Sequence, residues 1–183
     1  ASGPNMRDRI NDGNGAAYVW IWTHGSPGSV SMEGPNFDTT CASELQKLTA
    51  LLMTGTCNTG WFDDTSDCLS EAFIRNRDGA AVNYIGSIRY GWSIGSPKFF
   101  RAYLEMVFRI GHTIGGDAFA MHKAELVPDS SSGSCRWLQF GTNLQGDPCV
   151  PAPGHCPMLV YDRHTKDDTT GGNGDGVINP GES

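Results

Sequence analysis

The chain has 183 residues, a net charge of −7 and an apolar share of 38%, enough for about one domain. Its 13 Lys and Arg are scattered, so no basic stripe exists to meet a phosphate backbone, and no nucleic-acid partner is expected. No run of roughly 18 apolar residues occurs, which excludes a membrane-spanning helix.

Residues 1–14, "ASGPNMRDRINDGN", are polar and lack the apolar stretch of a signal peptide. They are taken as a polar N-terminal segment, and a secreted protein with this start has already shed its targeting sequence. "AAYVWIWTHG" predicts a buried strand from Tyr18 to Thr23, because aromatic and β-branched residues run without a polar break. Turn and capping residues in "NFDTTCASELQK" predict a short helix from Thr40 to Lys47. "LTALLMTGTC" predicts a second strand ending near Thr54.

Beyond it, Ser66 or Asp67 can cap a helix whose Leu69, Ala72 and Phe73 share one face. Asp78-Gly79 ends that helix, and Ala80 to Ile85 make a third buried strand. Phe100, Tyr103, Leu104, Val107 and Phe108 have the spacing of an amphipathic helix, which Gly111 breaks. A further helix is expected over Ile114 to Leu126. "VPDSSSGSC" then reads as a loop, and "RWLQFGTN" and "MLVYD" as short strands.

Strands alternating with helices, each apolar on both faces, imply an α/β fold with a mainly parallel sheet covered by helices. Chemistry on such sheets gathers at the carboxyl ends of the strands. His24 stands just past the first strand and Cys57 just past the second, so neighbouring parallel strands bring both to one edge. A cysteine peptidase needs a thiolate, an imidazole to carry the proton and donors for the oxyanion. "THGSPG" offers an imidazole followed by a glycine whose N–H can approach a substrate closely. "TCNTG" offers a thiol on a tight turn. Taken singly, the cysteine is equally half of a disulfide and the His-Gly an ordinary turn; their joint placement is what favours catalysis.

Six cysteines in so short a chain lean towards an oxidising compartment, with buried reduced thiols as the other reading. If Cys57 is a free nucleophile, five remain and cannot all pair within the chain. Cys135 with Cys149 or Cys156 is the simplest bridge, while Cys41 and Cys68 are buried thiols or partners for sequence elsewhere.

"YVWIWTHGSPG" followed by "LLMTGTCNTGWFDD", "CLSEAFIRNRDGAAVNYIGSIRYGW", "IGGDAFAMHKAEL" and "FGTNLQGDPCV" resembles the catalytic half of a gingipain-type cysteine peptidase. The resemblance covers about residues 15–150 and implies a caspase-like three-layer α/β sandwich. It makes Cys57 the nucleophile, His24 the acid/base, and the N–H groups of Gly25 and Cys57 the oxyanion hole. Gly86, Ser87, Tyr90 and Trp92 would border the pocket for the residue before the scissile bond. The family's preference for Arg or Lys rests on an acidic pocket residue, for which this sequence shows no match.

The expected organisation is residues 1–14 as the polar segment and 15–165 as the C-terminal portion of a peptidase domain. Residues 166–183 are a linker into an immunoglobulin-like domain that the chain lacks. A caspase-like sheet has strands before the one that carries the histidine. The N-terminal part of the domain is therefore expected as a separate, processed chain, or as the remainder of a longer one. "NGDGVINPGES" also fits part of a calcium loop, with Asn173, Asp175 and Glu182 at the third, fifth and twelfth positions. Gly171 stands where the first ligand should be Asp and no helices flank it, so a polar linker is the other reading. No cofactor is required for the chemistry.

The sequence therefore predicts a secreted or cell-surface bacterial endopeptidase, acting on protein or peptide through a thioester acyl-enzyme. The competing expectation is a catalytically silent module of the same fold with a binding or structural role.

Overall fold

The protein is described from a computed structural model, which covers residues 2–12, 16–91 and 95–151. A short helix, α1 (Gly3–Asn11), opens the chain, followed by strand β1 (Tyr18–Ile21). Three two-residue strands come next: β2 (Gly25–Ser26), β3 (Ser29–Val30) and β4 (Phe37–Asp38). Then come α2 (Thr39–Ser43), β5 (Leu48–Thr54), α3 (Leu69–Arg75) and β6 (Ala80–Ser87). The last part holds α4 (Ser96–Leu104), α5 (Gly115–Glu125), α6 (Gly133–Gly141) and β7 (Thr142–Gly146).

The main sheet has the order β1-β5-β6-β7, with β1, β5 and β6 parallel and β7 antiparallel to β6. Side chains alternate across a strand, and here the alternation sorts the core into two layers. Leu52 and Tyr84 pack with Phe37, Leu45, Leu69 and Phe73 under α1–α3. Leu51, Met53 and Ile85 pack with Phe99, Phe100, Tyr103 and Leu138 under α4–α6. The result is the expected three-layer α/β sandwich with a mainly parallel sheet.

Several local expectations need correction. The polar opening forms α1, capped by the Ser2 hydroxyl, which accepts from the Asn5 N–H, and anchored by buried Ile10. β1 is not buried on both faces: within the described residues it is an edge strand, leaving Trp20 and Trp22 45% and 54% exposed. The cap of α3 is Cys68, not Ser66 or Asp67, because Glu71 reaches back to accept from the Cys68 N–H at 2.9 Å. After α4 the helix widens into a π-turn over Glu105–Ile110 and ends at Gly111, whose φ of 89° favours glycine. "VPDSS" winds into a 3₁₀ turn, and "RWLQFG" is helical rather than extended. There Leu138 and Gly141, three apart, face inward while Trp137 and Phe140 face out. "MLVYD" lies outside the described residues.

No disulfide forms among the described residues. Cys41, Cys57, Cys68, Cys135 and Cys149 are free, so the Cys135–Cys149 bridge is not made, and Cys156 lies outside them. Cys41 and Cys68 are buried thiols, and burial pushes both up from the ordinary thiol value. No helix among the described residues is long and apolar enough to cross a membrane.

Candidate active site

Parallel pairing aligns Ile21 of β1 with Thr54 of β5. His24 and Cys57 each stand three residues beyond that pair, at the same carboxyl edge. After His24 the chain turns back as the β2–β3 hairpin. The His24 carbonyl accepts from the Ser31 N–H at 2.8 Å, and Gly25 pairs with Val30. Hydrogen-bonded and non-bonded pairs alternate along an antiparallel ladder, so the Gly25 N–H points away from the hairpin. The hairpin is fixed by its turn, where the Pro27 carbonyl accepts from Leu69 at 2.7 Å and that of Gly28 from Thr39 at 3.1 Å.

The two segments meet directly. A Cβ on Gly25 would lie 2.8 Å from the Thr56 Cβ and 2.9 Å from the Cys57 carbonyl oxygen. Only glycine allows the His24 loop to pack this closely on the thiol turn. Cys57 itself is half-buried, and the next residue, Asn58, takes a φ of 60°. Asparagine tolerates this left-handed conformation better than most residues, and it is what turns the chain sharply behind the thiol.

Beneath the turn lies a chain of buried hydroxyls. Tyr84 Oη meets Thr54 Oγ1 at 3.0 Å, Thr54 meets Thr59 at 2.8 Å, and Thr59 meets Thr56 at 2.9 Å. All four residues are buried, and burial pushes the Tyr84 phenol well above its ordinary range. The signal for this cluster is in the sequence, since "TGTCNT" places threonines at 54, 56 and 59 around the cysteine, but its partner Tyr84 comes from another strand. Thr59 is the link between Thr54 and Thr56. Thr59→Val is expected to cost about 2 kcal/mol of stability by leaving two buried hydroxyls short of a partner. Urea unfolding measures it, and a loss below a few tenths of a kcal/mol would show that the network is dispensable.

The segment after β6 holds the turn from the other side. The Arg89 carbonyl accepts from the Asn58 N–H at 2.9 Å, and the Ser87 carbonyl from Gly60 at 3.0 Å. The Arg89 guanidinium grips both oxygens of Asp63, at 2.9 and 2.8 Å, and lies 4.9 Å from the centre of the Trp61 ring. That ion pair holds the Asp63 carboxyl below the usual carboxylate range. Gly91 then comes up against the thiol: its N–H donates to Cys57 Sγ at 3.3 Å, and its carbonyl lies 3.8 Å from the sulfur.

The candidates named from sequence are thus partly gathered. His24, Gly25 and Cys57 share one edge, with Tyr90 exposed nearby. Gly86 and Ser87 are buried below the turn. A Cβ on Gly86 would lie 2.4 Å from the Tyr84 ring. Gly91, which the sequence did not single out, donates its N–H to the sulfur. Trp92, Asn173, Asp175 and Glu182 lie outside the described residues. Among the described residues no cluster of three or more His, Cys, Asp or Glu is placed to hold a metal.

A three-layer sandwich whose parallel strands end in an imidazole loop and a thiol turn defines the caspase-like class of α/β proteins. The chain belongs to peptidase family C25, the gingipain family, whose model matches residues 1–153. The Arg-specific cysteine proteinase gingipain R superposes on 83% of this chain and 36% of its own, with a TM-score of 0.72 and 18% identity. The complex of Porphyromonas gingivalis RgpB pro- and mature domains matches over 83% of this chain and 37% of its own, with a TM-score of 0.66 and 20% identity. A third protease structure gives a TM-score of 0.64 at 15% identity, over 79% and 37% of the two chains. The chain thus spans little more than a third of the length of these structures. No curated protein matches it.

Proposed function

We propose that the protein is a cysteine endopeptidase in which Cys57 and His24 carry out acyl transfer. The observation that carries this reading is the seating of Gly25 on the Thr56–Cys57 backbone, which joins the histidine loop to the thiol turn. The Cys57 thiolate attacks the scissile carbonyl carbon, and the carbonyl oxygen becomes an oxyanion facing the N–H groups of Gly25 and Cys57. As the C–N bond breaks, His24 gives its proton to the leaving amine and a thioester remains on Cys57. Water then attacks the thioester with His24 taking its proton, releasing the acid and restoring the Cys57 thiolate beside the His24 imidazolium. This chemistry needs no cofactor.

Membership of the gingipain family supports a secreted or cell-surface bacterial protease acting on protein or peptide. One relative is described as Arg-specific. In this chain Asp63 is already paired to Arg89, so a preference for basic residues would draw its acid from elsewhere. The outer edge of β1, with Trp20, Trp22, Met6 and Met32 around an open hollow, suits the remaining strands of the domain. These would be supplied by a processed partner or by the rest of a longer polypeptide.

A peptidyl acyloxymethyl ketone tests the reading on the full-length, assembled protein. Covalent labelling at Cys57, lost in Cys57→Ala and in His24→Ala, is the expected result. A folded protein that is never labelled would instead be the catalytically silent module.

A further inference from the structure

The Tyr90–Gly91 peptide unit is held at both ends. Its N–H, belonging to Gly91, points at Cys57 Sγ from 3.3 Å. Its carbonyl, belonging to Tyr90, accepts from the Trp137 indole N–H at 2.8 Å. A peptide group is planar, so fixing the carbonyl on one side fixes the direction of the N–H on the other. From this geometry we infer that Trp137 is a positioning residue for the nucleophile: it aims the Gly91 amide at the sulfur and so favours the thiolate. The inference rests on the reading of Cys57 as the nucleophile.

The surroundings fit this role. Trp137 is 44% exposed, so its ring is not needed to fill the core. The indole N–H is donor only and makes its hydrogen bond across 47 residues of sequence. α6 is tied to the same segment a second time, because the Ile88 N–H donates to the Gly141 carbonyl at 2.7 Å. On the opposite flank, the Asn58–Arg89 hydrogen bond and the Arg89–Asp63 pair clamp the segment to the thiol turn. The Gly91 carbonyl, which could accept from a protonated thiol, is farther away at 3.8 Å. The closer contact is the one that serves the anion. A donor to an ionised acceptor gains more than a donor to a neutral one, and a carbonyl that itself accepts a hydrogen bond leaves its N–H a stronger donor.

The test is alkylation of Cys57 by iodoacetamide in the full-length protein, with the Cys57 peptide quantified by mass spectrometry at pH 7 and at pH 10. The thiolate displaces iodide, so the rate reports how much reactive anion is present. Trp137→Phe, which keeps the aromatic bulk and removes the donor, is expected to slow alkylation at pH 7 by about 3- to 10-fold. At pH 10, where thiols ionise regardless, the rate should change less than about twofold. Trp137→His, which retains a ring N–H, should restore part of the neutral-pH rate. An unchanged rate at pH 7 would overturn the inference, as would equal slowing at both pH values, which marks a general loss of structure. If the wild-type Cys57 reacts no faster at pH 7 than exposed Cys149, its reading as the nucleophile fails together with the inference. If the ketone labels wild-type Cys57 but Trp137→Phe has no effect, the role of Trp137 alone fails.

Discussion

Replacing Gly25 by alanine is expected to slow covalent labelling of Cys57 by about 10²-fold and to cost about 1–3 kcal/mol of stability. The added methyl would sit 2.8 Å from the Thr56 Cβ, 2.9 Å from the Cys57 carbonyl oxygen and 3.0 Å from Thr56 Oγ1. None of these atoms can move away cheaply. Thr56 is 1% exposed and its hydroxyl is bound to Thr59, which is bound in turn to Thr54. The Cys57 carbonyl belongs to a turn fixed by Asn58, Gly60 and Gly91. The strain must therefore open the gap between the histidine loop and the thiol turn. A displacement of about 1 Å is enough to cost 10² in a reaction that depends on alignment. Thermal unfolding and ketone labelling separate the two effects. Labelling that survives intact in Gly25→Ala would mean that the two segments need not touch for the site to work.

The same contact shows what the sequence could and could not disclose. The end of β5 was legible because the mostly apolar run Leu48–Thr54 stops at Gly55. The shared edge of His24 and Cys57 followed from two adjacent parallel strands. β1 resembled a buried strand for the same reason, yet Trp20 and Trp22 are bare, because burial depends on neighbours that the strand's own residues do not encode. "RWLQFG" is rich in aromatic residues and suggested a strand, but its inward residues are three apart, a spacing visible only once the partner surface is known. The cap of α3 was missed because cysteine is a poor capping type; the Glu71 carboxylate supplies the bond instead. Gly91 and Trp137 left no local trace. They reach Cys57 and Tyr90 across 34 and 47 residues, and periodicity carries no information at that range.

Acidification should weaken the fold through His122, with a loss of about 3 kcal/mol between pH 7 and pH 4 from this one group. His122 of α5 is fully buried, with the rings of Phe99, Tyr103 and Phe119 around it at 4.4, 5.6 and 4.9 Å. Neither ring nitrogen makes a well-formed hydrogen bond among the described residues. Burial is the main cause that pulls the imidazole down from 6.5 to about 4; the nearby carbonyls of Phe119 and Ala118 offset it in part, and the Lys123 charge adds to it. Above about pH 6.5 the residue is neutral in both states and the stability is fully present. Between 6.5 and about 4 the unfolded chain binds a proton that the native one refuses, so stability falls as the pH falls. Below about 4 both states are protonated and the group adds no further loss. His122→Phe extends the aromatic cluster and has no proton to bind, so its stability should vary less over the same interval. Urea unfolding of the two proteins at pH 7.5 and pH 4.5, taken as a double difference, cancels the carboxylates that titrate in both. Parallel changes in wild type and variant would show that His122 does not set the acid limit. A difference of about 2–3 kcal/mol would fall on the layer that flanks the Cys57 turn. His122 braces the layer in which Lys123 Nζ donates to the Gln139 carbonyl of α6 at 2.8 Å, and α6 is the helix that presents Trp137.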